Sequence, residues 1–340
     1  MGEALAVKYR PQTFQEVVSQ KSVITILQRQ IELKQYTNCY LFCGASGCGK
    51  TSIARIFAKA INNGKGRPIE IDGASNNGVD NIRSIIEDAQ QRALDSEYKI
   101  FIVDEVHALS TNAWQAFLKC LEEPPMYTIF ILCTTNPEKI PATILNRVMR
   151  FNLNRLSTEE IYKRLCYISQ QEGFTNYEES CDYISKMCNG GARDAIAYLE
   201  KAASYSKQMD IYLTTEALGT ISYKTLFTMV NAIIDGNGKE LFENISRIYN
   251  QGQNLVLLVD QLVDLTLNIE KYCIFQDISC TNIPSSLLDS LTYTANIDNN
   301  VDYFAKLSEE LLALKNMLKY DTNIYTTIEI TLNKILRLGV

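Results

Sequence analysis

The sequence predicts an α/β domain built on a five-stranded parallel sheet, followed by two all-helical segments. Three observations carry this expectation. Short apolar runs alternate with helical patterns as far as residue 157, one strand-to-helix turn is rich in glycine, and beyond residue 157 helical periodicity continues without a strand signal. Strands that alternate with helices are the pattern of a parallel sheet covered on both faces.

The expected strands are "CYLFC" (39–43), "IEID" (69–72), "KIFIVD" (99–104), "TIFILCTT" (128–135) and "VMRFNL" (148–153). Between them "TSIARIFAKAIN", "VDNIRSIIEDAQQRAL", "NAWQAFLKCLEE" and "PATILNR" read as helices. This first domain is assigned residues 1–157. A small helical domain is expected over 158–219; it opens with a Ser157-x-x-Glu160 capping box, and its first helix closes on Gly173. A larger helical domain is expected over 220–340, interrupted by the polar "DISCTNIPSS" (277–286). There Leu255, Leu258, Val259 and Leu262 recur at i, i+3, i+4, i+7, the spacing of a buried helix face.

Composition excludes several function classes. No apolar run reaches the ~18 residues of a membrane span, and the N-terminus lacks the apolar core of a signal peptide, so a cytoplasmic protein with no membrane partner is expected. The ten cysteines contain no C-x2-C pair and the chain has one histidine, so no zinc site is expected. Scattered buried thiols are the better reading. Residues 1–157 carry 18 Lys and Arg against 15 Asp and Glu, whereas 158–340 carry 15 against 24. Nucleic-acid contacts therefore belong on the first half, although a net charge of +3 is no basic stripe.

The chemistry concentrates at the first strand-to-helix turn. Gly44, Ala45, Ser46, Gly47, Cys48, Gly49, Lys50, Thr51 and Ser52 follow strand "CYLFC" and open a helix in the spacing G-x4-G-K-T. Backbone N–H groups there cradle phosphates, Lys50 neutralises their oxygens and the Thr51 hydroxyl ligates Mg²⁺, so ATP and Mg²⁺ are the expected cofactors. Strand "KIFIVD" supplies the matching acid: Asp104 for the metal shell, with Glu105 beside it to orient or polarise water. Cys48 stands at a helix entrance, where a thiol pKa can fall, but a tolerated small residue is the better reading of it than a redox sensor. His107 is the one histidine, but phosphoryl transfer is mostly positioning and charge stabilisation, which weighs against an acid/base role for it. Among Thr134, Thr135 and Asn136, a hydroxyl or amide is placed to sense the γ-phosphate. Pattern alone leaves Arg147 and Arg193 undecided between site and surface.

These pieces, with "KYRPQTFQEVVSQ" (8–20), "IEIDGASNNGVDNIR" (69–83), "LKCLEEPP" (118–125), "CTTNPEKIPATILNRV" (133–148) and "GGARDA" (190–195), resemble AAA+ ATPases of the clamp-loader branch, in particular the gamma/tau subunits of bacterial DNA polymerase III. The match runs from residue 8 to about 205 in the family's order. The resemblance implies an ATP-driven motor that opens a sliding clamp and loads it onto primer-template DNA, working in an oligomeric, pentameric ring with other clamp-loader subunits. It implies that Tyr9, Arg10, Pro11 and Val18 border the adenine, that Thr135 is the fourth-strand sensor, and that Arg193 reaches the γ-phosphate from the helical lid. Arg147 would be the finger that enters a neighbour's ATP site. Residues 220–340 would form the collar. The DNA candidates are Ser75, Asn76, Asn77 and Arg83, with Thr111 and Asn112 at the start of the next helix.

The sequence departs from the family at three places. The finger motif reads Asn146-Arg147-Val148 in place of Ser-Arg-Cys, Ser19 stands where the family has glycine, and "NNGKGRP" (62–68) replaces a four-cysteine zinc module. That shortened linker suggests a phage-encoded or otherwise divergent version, and the chain resembles the short gamma form. Two rival readings remain: another AAA+ DNA-remodelling ATPase, against which the acidic tail offers no basic recognition helix, and a non-hydrolysing structural subunit, against which stand the intact Gly49-Lys50-Thr51 and Asp104-Glu105.

Overall fold

The computed structural model describes residues 3–284, 287–298, 301–319 and 321–338. The chain divides into two compact units, residues 1–165 with 188–197, and residues 166–187 with 198–340.

The first unit contains, in order, α1 (Leu5–Lys8), α2 (Lys21–Leu33), β1 (Cys39–Cys43), α3 (Lys50–Ile61), β2 (Ile69–Asp72), α4 (Val79–Ala89), β3 (Lys99–Asp104), α5 (Thr111–Glu122), β4 (Thr128–Thr134), α6 (Ala142–Leu145) and β5 (Met149–Asn152). All five strands are parallel, in the order β2-β3-β4-β1-β5. Together with the helices around them they form an AAA+ fold. Each expected strand is present within two residues of its expected ends.

The side-chain period of two explains the layering. Leu41, Phe101, Val103, Phe130 and Leu132 lie on one face, packed with Ile82 of α4 and with Trp114 and Phe117 of α5. On the opposite face Tyr40 meets Phe57 of α3 edge-on, with ring centroids 5.0 Å apart. β1 and β4 are buried along their whole length, whereas β2 is an exposed edge. The chain leaves β1 for the far edge, steps back through β3 and β4, and then hops over β1 to β5. β1 is thus the point where strand order reverses, and in open parallel sheets ligands bind beyond the carboxyl ends of the strands at that point.

Three helices differ from expectation, the first being the single turn α1, which has no expected counterpart. α2 has no counterpart among the expected elements, because the β-branched run Val23-Ile24-Thr25-Ile26 resists a helical reading; tertiary burial of Val23 and Leu27 overrides that preference. α4 stops at Ala89, five residues short of the expected end at Leu94. Its last carbonyls are taken by side chains from outside the helix: the Thr128 hydroxyl donates to Ala89 O at 2.8 Å and Lys99 Nζ to Asp88 O at 2.7 Å. These donors satisfy the helix end before the apolar Leu94, which is left fully exposed, can extend the pattern.

Beyond β5 the structure is helical: α7 (Thr158–Glu172), α8 (Glu178–Met187), α9 (Ala192–Tyr205), α10 (Ile211–Leu218), α11 (Tyr223–Ile234), α12 (Gly238–Asn250), α13 (Leu255–Phe275), α14 (Leu288–Asp298), α15 (Val301–Leu318) and α16 (Ile324–Leu338). The capping box forms as expected. Ser157 N donates to Glu160 Oε2 at 2.9 Å and Glu160 N donates back to Ser157 Oγ at 3.2 Å. Gly173 closes α7 at φ +71°. In the second unit α13 packs along α15, and Leu255, Leu258, Val259 and Leu262 are all buried with Leu307, Leu311 and Leu314. The polar interruption contains a short 3₁₀ turn, Ile278–Cys280, and its last two residues, 285 and 286, lie outside the described ones. Among the described residues no single helix is long and apolar enough to cross a membrane.

The end of α4 generates a stability prediction. Thr128→Val keeps the volume and removes the donor to Ala89 O, so the first unit should lose about 1–2 kcal/mol, read as a lower denaturant midpoint with an unchanged slope.

Candidate active site

Residues 44–49 turn from β1 into α3 with Gly47 at φ +74° and Gly49 at φ +101°, conformations that glycine adopts without steric cost. The Lys50 side chain is buried and folds back over the turn, donating from Nζ to Gly44 O at 2.9 Å and Ala45 O at 3.0 Å. Beside it Thr51 Oγ1 donates to Asp104 Oδ2 at 2.7 Å, which joins α3 to the carboxyl end of β3. Asp104 Oδ1 accepts from Glu105 N at 3.0 Å.

Glu105 sits in the left-handed region at φ +46°, an uncommon conformation for a residue with a long side chain. The Thr135 hydroxyl lies 3.1 Å from its Oε2 and 2.8 Å from Asn136 Oδ1. His107 Nδ1 lies 3.2 Å from the same Glu105 oxygen and 3.1 Å from Thr134 Oγ1. The loop after β2 closes tightly over this corner: Gly73 N donates to Asp104 O at 2.8 Å, and a Cβ on Gly73 would come within 2.8 Å of that oxygen.

The fold brings most of the expected site residues to one cavity. Tyr9, Arg10, Pro11, Val18, Ser46, Gly47, Cys48, Gly49, Lys50, Thr51, Ser52, Asp104, Glu105 and Arg193 all line it. Gly44 and Ala45 reach it through their carbonyls on Lys50, and Thr135 through Glu105. Arg147 does not line the cavity. It is a surface side chain just past α6, donating to Thr143 O at 2.7 Å and to Glu122 Oε1 at 2.8 Å.

The expected DNA candidates form a second, separate group. Ser110 N donates to Asn77 O at 3.1 Å, which sets the entrance of α4, capped at Gly78, beside that of α5, capped at Ser110; Thr111 and Asn112 are the exposed first residues of α5. Ser75 donates to Asp72 Oδ2 at 2.7 Å, the Asn76 amide to Asp72 O at 3.0 Å, and Arg83 pairs with Asp80 at 3.1 Å. The Ser75 hydroxyl, with the Ala74 N–H, holds the exposed Asp72 carboxyl below the usual range.

Of the two readings of Cys48, the structure favours the tolerated small residue. Cys48 is buried inside the turn, and that burial pushes its thiol pKa up, overriding the nearby Lys50 charge that would lower it. Helix-entrance position alone does not activate a thiol that water cannot reach.

Sequence reasoning also missed Arg164, which lines the cavity, and Gln20, which braces the segment next to it. Arg164 of α7 lines it and donates from Nη2 to Tyr9 O at 2.6 Å. Gln20 is buried with φ +61° and clasps Asn154 through both ends of its amide, at 2.7 and 3.1 Å. The adjacent Ser19 has φ +67°, a conformation that glycine adopts without steric cost. Arg164 has no motif around it, and only the return of α7 to the N-terminal segment reveals it.

The residues present fit a nucleotide with a divalent cation. Thr51 and Asp104 place two hard oxygen donors within a hydrogen bond of each other, and the open cation site asks for one or two protein oxygens, the rest coming from phosphate and water. Backbone N–H groups, a buried ammonium and an apolar rim of Pro11, Val18 and Ile196 supply the rest of the cradle. Among the described residues no group of three or more His, Cys, Asp or Glu could hold a metal by itself.

Comparison with known proteins agrees with this geometry. Residues 68–157 match the family model "DNA polymerase III, delta subunit", and residues 213–287 match "DNA polymerase III subunits gamma and tau domain III". The DNA polymerase III subunit gamma of Buchnera aphidicola subsp. Schizaphis graminum is 35% identical over 280 residues, covering 75% of this chain and 77% of that one. The chain belongs to the DNA polymerase III gamma/tau family. The tau subunit of Bacillus subtilis (strain 168) is 37% identical over 285 residues, covering 77% of this chain and 50% of that protein. The chain spans about half the length of the tau relatives it matches. Among solved structures, the Thermotoga maritima RuvB Holliday junction branch migration motor superposes with a TM-score of 0.54 at 16% identity, covering 66% of this chain and 79% of that one, a likeness of fold.

In this gamma/tau-family chain the raised Cys48 pKa has a direct readout. A thiol whose pKa lies above its usual value stays protonated at neutral pH, and the reactive thiolate appears only as pH rises further. Iodoacetamide at about pH 8 should therefore label the exposed Cys280 well before Cys48, as followed by peptide mass mapping.

Proposed function

We propose that this chain is an ATP-hydrolysing clamp-loader subunit that opens a sliding clamp and loads it onto primer-template DNA. The observation that carries this reading is the division of the site. Lys50, Thr51, Asp104, Glu105 and Arg193 share one cavity, whereas Arg147 lies outside it on the surface. A phosphoryl-transfer site gains a factor of roughly 10³–10⁵ from an arginine supplied at the transferring phosphate, so this site is completed by a neighbour's Arg147 in an oligomeric ring.

In this reading Lys50 and the backbone N–H groups of the turn bind the phosphates, and Thr51 and Asp104 would hold Mg²⁺ through their side-chain oxygens. Bound Mg²⁺ supplies charge neutralisation across the phosphate oxygens. Glu105 orients the attacking water, Thr135 senses the terminal phosphate from the end of β4, and Arg193 stabilises charge on that phosphate. Tyr9, Arg10, Pro11 and Val18 enclose the base. Residues 158–219 act as the lid that carries Arg193 and residues 220–340 as the collar that joins subunits.

The adjacent entrances of α4 and α5 suit a phosphate backbone, because helix N-termini offer unsatisfied N–H groups without needing many lysines. Asp72 and Asp80 share this rim, so Arg83 would exchange Asp80 for phosphate. DNA affinity should accordingly fall only shallowly with salt.

The test is ATP hydrolysis by the reconstituted ring with sliding clamp and primed DNA. Stimulation by the two together is expected, and its absence would overturn the clamp-loading reading. Arg147→Ala should lower the stimulated rate by roughly 10³-fold or more with nucleotide binding intact; hydrolysis at the wild-type rate would remove Arg147 from the neighbour's site.

A further inference from the structure

The corner that holds Glu105 contains one side chain to which nothing above assigns a role. His107 follows Glu105 by two residues, on the 3₁₀ turn Val106–Ala108, and its ring is 17% exposed. Nδ1 is hydrogen-bonded to Thr134 Oγ1 at 3.1 Å and makes a charge contact, outside hydrogen-bond geometry, with Glu105 Oε2 at 3.2 Å. Thr134 is wholly buried, and its hydroxyl oxygen already accepts from Asn136 N at 3.0 Å.

The carboxylate decides where the imidazole proton lies. An ionised carboxylate oxygen can only accept, so a bare Nδ1 lone pair 3.2 Å from it would repel it, whereas an Nδ1–H is attracted. Thr135 shares its single hydroxyl hydrogen between Asn136 Oδ1 at 2.8 Å and Glu105 Oε2 at 3.1 Å, so it holds the carboxylate only in part and the His107 ring closes the other side of the same oxygen.

We propose that His107 is a positioning residue for hydrolysis: its ring, hydrogen-bonded through Nδ1 to buried Thr134, stands 3.2 Å from Oε2 of Glu105, holds that oxygen by charge attraction and leaves the other carboxylate oxygen to orient the attacking water. The left-handed backbone at Glu105 directs the side chain into the corner, and His107 stops it from swinging within the cavity. The ring exchanges no proton with the substrate and touches no nucleotide. This role rests on the ATPase reading above, and the experiment separates the two.

Because His107 is the only histidine in the sequence, a ¹⁵N-histidine-labelled full chain gives one pair of ring-nitrogen resonances. At about pH 8, above the ordinary imidazole pKa, the proton should be found on Nδ1, whether the ring is neutral or charged, and Glu105→Gln should shift that resonance. A neutral ring protonated on Nε2 with a bare Nδ1 would overturn the proposal. In the stimulated ATPase assay His107→Leu should lower kcat by about tenfold to a hundredfold, the cost of a misplaced catalytic group, with KM for ATP within about twofold. His107→Asn, whose amide offers a donor near the position of Nδ1, should recover most of the loss. If wild type hydrolyses ATP and His107→Leu keeps its kcat, the positioning role is wrong; if wild type itself shows no hydrolysis, the ATPase reading fails and the tautomer measurement still decides where the proton is held.

Discussion

The site depends on one hydrogen bond between strands that are not neighbours. Thr51 Oγ1 to Asp104 Oδ2 links the helix after β1 to the end of β3, across the end of the intervening β4. Parallel strands place all their carboxyl ends on one edge, and the reversal of strand order at β1 opens that edge to a ligand. The same edge carries Glu105 after β3 and Thr135 after β4, so three consecutive loops converge without any insertion to bring them there. Burial of Lys50 under the glycine turn follows from this convergence: its ammonium has two carbonyl acceptors and an apolar sheet beneath it.

What could be read in the sequence was what short-range geometry dictates. The strands announced themselves by apolar runs, because a strand buried on both faces has no polar positions to disguise it. The phosphate turn, the acid pair after β3 and the capping box at Ser157 are each set by residues within a few positions of one another. The features that escaped depend on distant chain. α4 ends where Lys99 and Thr128 arrive, α2 is a helix because its apolar face is buried, and Arg164 enters the cavity only because α7 returns to Tyr9. Cys48 shows the converse, since its helix-entrance position was legible and the burial that overrides it was not.

The separation of Arg147 from the cavity has an energetic side. Arg147 and Glu122 are partly exposed, and a surface ion pair of this kind contributes at most about 1 kcal/mol. An arginine held so weakly can exchange its partner at little cost. The pair keeps the guanidinium extended from the end of α6 while costing little to break.

The approach of Gly47 to Gly191 has a mechanical consequence. A Cβ on Gly47 would lie 3.0 Å from Gly191 Cα, and Ala192 N donates to Gly47 O at 3.2 Å. Backbone thus rests on backbone, with no side chain between to act as a cushion. The turn after β1 and the two residues before Arg193 are therefore coupled in position, so neither can shift without the other.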